Sequence, residues 1–309
     1  MSDNSVTDFQ PPGLNIIAPL ATIFTIFNAI SLTYLLTRIS ILWWKTKRSL
    51  TMVHRVPFYF AFGEFLFFLV NLVNGVYTTV HQFPIQGEAC KIMGGITFFF
   101  FASNVTLSGA LSLTTYLRIC REIVIDLGTY DYKLFLPIIL TSLMLTLIGD
   151  KNYGQSRFWC FSSPTDTITA LISALLIVII LLVTLYCHIM TLVEVYNALN
   201  RFGAKFGQVD FIVARRITFY ILIVILEWVP VMIYLVAQIF HYESLWIYLA
   251  ATLSVSFGGI GNTILYIIYE KWRNRYSPTA SENARRSSGI EMTRSVVITS
   301  TSCTNENCS

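Results

Sequence analysis

Charge is what this 309-residue chain has least of. Asp, Glu, Lys and Arg together make up 12% of it, against roughly 25% in a soluble domain. So few charges cannot cover a water-facing surface. Apart from Lys133 at the very edge of the fourth, no Lys falls within a long apolar stretch, which excludes a retinal-type Schiff base on the seventh. Of the four His (His54, His81, His188 and His241), only His188 lies in such a stretch, so an intramembrane three-His metal site has no ligands. Gly258, Gly259 and Gly261 sit inside an apolar run and make no phosphate loop. They read as small residues that let helices pack closely. These absences point away from an enzyme and from any metal or cofactor. The net charge of +4 is better matched to anionic lipid than to nucleic acid.

What the chain has instead is long apolar runs. Seven occur, at 15–44, 56–80, 92–117, 133–149, 167–193, 217–240 and 244–269. A bilayer core of ~30 Å requires about 20 helical residues, range about 17–25, so six of the runs suffice and the fourth is marginal. Backbone groups in lipid must bond within their own segment, and continuous runs of this length are helices, not barrel strands. The expectation is an all-α membrane protein, a seven-transmembrane helix bundle over 15–276 with its termini on opposite sides. Residues 1–14 form an extracellular N-terminus. The first run exceeds a signal-peptide core of 7–15 residues and reads as a retained anchor.

Basic residues set the orientation. With the N-terminus outside, 18 of the 21 Lys and Arg fall on the inner side, leaving Lys91, Lys151 and Arg157 outside. After the seventh run, Ile268, Trp272 and Tyr276 recur every four residues among Lys271, Arg273 and Arg275, a short amphipathic eighth helix on the inner surface. Residues 277–309 hold 13 Ser or Thr and almost no large apolar residue. They read as a disordered cytoplasmic tail.

Cys90 and Cys160 are the outer cysteines, in an oxidising compartment, and are expected to bridge. Cys120 and Cys187 should stay reduced. Charges inside spans are rare and usually functional, and two lie deep, Glu64 and Glu227. Glu64, Asn71, Asn74 and Thr78 form one polar stripe along the second span, which serves either as interhelical glue or as the wall of a polar cavity. The outer-half residues Asn74, Tyr77, Phe98, Phe101, Trp228, Met232, Leu235 and Tyr248 are the candidate ligand lining, largely aromatic with few polar groups. Asn104-Val-Thr and Asn307-Cys-Ser match a glycosylation sequon, one inside a span and the other in the inner tail.

Trp228-Val-Pro230 in the sixth span and Asn262-Thr-Ile-Leu-Tyr266 in the seventh resemble the Trp-x-Pro and Asn-Pro-x-x-Tyr elements of G-protein-coupled receptors, the second without its Pro. Cys90 and Cys160 match those receptors' bridge in position. Glu64 stands where the rhodopsin-like members place an Asp, and Asn104 where they place a sodium-site polar residue. Leu117-Arg-Ile-Cys-Arg-Glu122, Tyr130-Asp-Tyr-Lys-Leu134 and Phe158-Trp-Cys-Phe161 look like fungal receptors of the cyclic-AMP-receptor-like group, which share profile features with the secretin-like class. There is no Asp-Arg-Tyr after the third span and no Trp in the fourth. The resemblance spans about residues 15–276. It implies a plasma-membrane receptor for an extracellular ligand, with a heterotrimeric G protein inside, and it does not make cyclic AMP the ligand.

On that resemblance Glu64, Asn104 and Asn262 form one polar cluster, and Trp228, Pro230 and Tyr266 are switch positions. Arg118, Arg121, Arg215 and Arg216 face the G protein or, on the other reading, anionic lipid. Ser288, after Arg285 and Arg286, is a kinase site whose phosphate would recruit an arrestin-like partner. A small-solute transporter is the rival reading.

Overall fold

The computed structural model describes residues 13–46, 52–123, 131–156, 158–163, 167–202, 207–242 and 244–270. The chain divides into two compact units, Met1–Leu265 and Tyr266–Ser309. The described part of the second is the end of the last helix, 266–270. The eighth helix beyond 270, the tail with Ser288, and residues 1–12 lie outside the described residues.

Seven long helices are present among the described residues: α1 (Leu14–Lys45), α2 (Met52–His81), α3 (Gly87–Cys120), α4 (Tyr132–Ile148), α5 (Ile168–Phe202), α6 (Gly207–Ile239) and α7 (Leu245–Glu270). Six are long and apolar enough to cross a membrane, and α4, at 17 residues, is shorter. The protein is a helical membrane protein. Its apolar runs lengthen into helices of 30 residues or more in α1, α2, α3, α5 and α6. Elongation costs nothing in unsatisfied backbone, since each added residue closes its own bond.

The helix α3 is central. It packs on α2, α4 and α5, while α1 packs on α2 and α5 on α6. Its apolar window is 61% buried, against 28% for α1 and α2. This explains why α3 carries Ser103, Asn104, Thr106, Ser108 and Ser112, side chains too polar for a lipid-facing helix. Leu107 and Leu111 of α3 meet Leu134 and Ile138 of α4 in a compact apolar cluster.

The structure is not purely helical. Between α4 and α5 a two-stranded antiparallel hairpin forms from β1 (Tyr153–Gln155) and β2 (Cys160–Ser162), with Gln155 opposite Cys160. Its strands, three residues each, are too short to show an alternating pattern. Three things hold it down. Cys160 is bonded to Cys90 of α3, with their Cα atoms 5.2 Å apart. The Tyr153 hydroxyl donates to the Thr146 carbonyl at 2.9 Å. Gly94 of α3 admits the strand: a Cβ there would stand 2.7 Å from the Phe161 carbonyl oxygen.

Candidate functional site: a roofed cavity above a buried polar core

A cavity of about 150 Å³ opens between α1, α2, α3, α6 and α7 beneath the hairpin. Phe158, Trp159 and Phe161 roof it. Their rings run into a continuous aromatic layer. Phe158 and Trp159 lie 4.8 and 5.5 Å from Tyr248, and Trp159 lies 5.8 Å from Tyr234. On the α3 side Phe161 is 6.0 Å from both Phe98 and Phe101, and Phe101 meets Trp228 edge-on at 5.6 Å.

Of the eight residues expected to line the site, Asn74, Phe101 and Leu235 do so. Phe98 and Trp228 stand one ring behind the wall. Tyr248 supports the roof and also lines a second cavity of about 100 Å³ with Ser156, Gln238 and His241. Tyr77 and Met232 are not in the lining; Tyr77 instead stacks on His81 at 4.4 Å. Sequence reasoning missed the whole α1 share of the lining, Ile17, Ala18, Ala21, Thr22 and Thr25, and also Phe67 and Phe68 of α2, Tyr234 of α6 and Ala251 and Val255 of α7. An α1 apolar on every side offers no periodicity to mark its inward face.

The wall looks more polar in sequence than it is. Thr22, Thr25, Thr78, Thr97 and Thr252 all donate their hydroxyls to the carbonyl four residues back, at 2.7–2.9 Å. Asn71 likewise donates to the Phe67 carbonyl at 2.9 Å. Asn74, 2% exposed, differs: neither its Nδ2 nor its Oδ1 has a partner.

A second polar group sits among α1, α2, α6 and α7. Asn262 donates to Glu64 Oε1 at 3.0 Å. Asn104 does not join that pair. It donates to the Gly63 carbonyl at 3.2 Å, one residue along α2 from Glu64. The group instead includes Asn28 of α1, fully buried with both amide atoms unpartnered, and Glu227 of α6. Gly258 and Gly259 make the room. A Cβ on Gly258 would lie 2.5 Å from the Glu227 carboxyl carbon, and one on Gly259 would lie 2.2 Å from Asn28 Oδ1 and 2.7 Å from Glu64 Oε2. The glycines set aside as packing residues therefore admit two carboxyls to the α7 backbone. Among the described residues no group of three or more His, Cys, Asp or Glu could hold a metal.

At the end of α3 away from Cys90, Arg118 and Arg121 are exposed. Arg215 and Arg216 lie within α6, and their side chains are outside the described residues. Near that end Asp131, just before α4, accepts from Arg55 Nη1 at 3.2 and 3.3 Å and from the Tyr59 hydroxyl. Pro230 lies inside α6 two residues after Trp228 and removes the amide from which the Leu226 carbonyl would accept, while the helix runs on to Ile239. Tyr266 belongs to the second compact unit.

Comparison of the chain with protein-family models and with curated proteins found no match.

Proposed function

We propose that the chain is a seven-span plasma-membrane receptor, its N-terminus outside, that binds an extracellular ligand and activates a heterotrimeric G protein. On this reading it resembles the G-protein-coupled receptors of the fungal cyclic-AMP-receptor-like group. One observation carries the reading. Phe101 lines the cavity, and its ring meets Trp228, which is two residues before Pro230 in α6, where the helix lacks one backbone hydrogen bond. A ligand that displaces Phe101 pushes on the weakest point of a long helix. That is how a bound molecule biases one of two helix arrangements.

The disulfide supports the topology. Cys90 and Cys160 share one side, so the chain that leaves along α3 has to return, and α4 is the helix available for the return. At 1.5 Å per residue its 17 residues reach about 26 Å, close to the bilayer core. The exposed Arg118 and Arg121 then face the cytoplasm, where a G protein or anionic lipid meets them. The Ser288 segment serves as the phosphorylated off switch that recruits an arrestin-like partner.

The test is guanine-nucleotide exchange on purified heterotrimeric G proteins by reconstituted protein, screened against ligand libraries. Phe101→Ala and Trp228→Ala should lower exchange without loss of surface protein. Exchange by no G protein under any ligand overturns the proposal.

Glu64 and Glu227 favour a second reading. Intramembrane carboxyls also serve proton-coupled transporters. Solute flux into proteoliposomes along a proton gradient, lost in Glu227→Gln, would establish that reading instead.

A further inference from the structure

The cavity wall says what kind of molecule it takes. Among the described residues no Asp, Glu, Lys, Arg or His lines it. An ion placed there would lose its hydration and gain no counter-ion, a cost that restricts occupants to uncharged molecules. The volume of about 150 Å³ is that of cavities that hold a benzene-sized molecule. The Thr hydroxyls of the wall donate to carbonyls of their own helices. Of the two amides in the wall, Asn71 donates one N–H to the Phe67 carbonyl, and Asn74 pairs neither its Nδ2 nor its Oδ1. A buried amide left without partners is costly, so its pairing is the specific contact an occupant can supply.

We propose that the cavity binds a small, uncharged, mostly apolar molecule bearing one hydroxyl or amide, which both accepts from Asn74 Nδ2 and donates to Asn74 Oδ1. Phosphate-bearing ligands, cyclic nucleotides included, are excluded. The proposal rests on reading this cavity as the receptor's ligand site, and it adds the ligand's class.

Four probes of one size separate the terms: benzyl alcohol, toluene, benzylamine and benzoate. Their binding to the full-length protein in lipid nanodiscs is followed by ligand-observed NMR. Ala251→Phe, which adds bulk to the α7 side of the wall, serves as the blank. Benzyl alcohol and toluene should bind saturably and be lost in Ala251→Phe, and benzylamine and benzoate should not bind. Asn74→Leu should weaken benzyl alcohol about tenfold while toluene stays within about twofold. If Asn74→Leu does not accumulate, Asn74→Ser reads the same alcohol-to-toluene ratio, and a fall in that ratio supports the proposal. Specific binding of either charged probe, or an unchanged ratio in the Asn74 variants, overturns it. No G protein takes part in the measurement. A receptor that exchanges nucleotide on a charged ligand while failing here keeps the receptor reading and loses the ligand class. Probe binding as expected, with no exchange on any G protein, does the opposite.

Discussion

Asn262 of α7 reaches Glu64 of α2 across 198 residues of sequence and donates to its Oε1 at 3.0 Å, while Oε2 of the same carboxyl has no partner. The bond ties the second helix to the seventh inside an apolar bundle. Hydrogen bonds between membrane helices average about 0.6 kcal/mol in double-mutant cycles, with a maximum near 1.7. A cycle of Glu64→Ala and Asn262→Ala, read by thermal unfolding of purified protein, should give a coupling in that range. Additive single effects would show that the contact contributes nothing.

Gly258 admits the Glu227 carboxyl to within 2.5 Å of where its Cβ would be. Gly258→Ala should therefore destabilise by about 1–3 kcal/mol, the usual cost of overpacking. Shortening the intruding side chain should recover most of it, so Gly258→Ala with Glu227→Ala should unfold later than Gly258→Ala alone. Gly259→Ala meets Asn28, Leu32 and Glu64 together and should not be rescued by any one of them.

The helices are legible in the sequence because lipid rewards long uninterrupted apolar runs whatever their inner face. The same property hides the site. The pairing of Glu64 with Asn262 is what the receptor resemblance implies; each shows in sequence only as a polar group in an apolar run, with nothing to mark its partner. Asn104 misleads because its amide takes the nearby Gly63 carbonyl, a backbone acceptor that no side-chain pattern reveals. Asn28 and the α1 wall are silent, since α1 is apolar all round and its rotation is set by its neighbours. Glu227 is visible as a buried charge, but the Gly258 gap that gives it a place is a matter of packing.

Removal of either Cys90 or Cys160 should cost about 2–5 kcal/mol, typical for a native disulfide. Since one bond is lost in each case, Cys90→Ser, Cys160→Ser and the double variant should unfold at one temperature. Reductant should bring the wild type down to that temperature and leave the variants unmoved. Unequal single variants would mean that a thiol contributes beyond the bond.

The Arg55–Asp131 contact should be asymmetric. Asp131 is 3% exposed and Arg55 38%. Arg55→Met strands a buried carboxylate with Tyr59 as its remaining contact here, whereas Asp131→Ala leaves an Arg that can turn to water. Arg55→Met should be the more destabilising by unfolding midpoint. Equal losses would place the cost in the Tyr59 bond, and Tyr59→Phe would then reproduce it.

The 70-residue separation of the bridged cysteines also imposes an order of events in synthesis. At about 5–20 residues per second, Cys90 waits roughly 4–14 s before Cys160 has even been translated. Throughout that interval α3 has no hairpin over Gly94 and no disulfide to the chain that follows it. The α3 helix, among the more polar of the bundle, thus stays unbridged until the chain has passed through α4. A ribosome stalled in α4 would release a chain whose Cys90 is still a thiol.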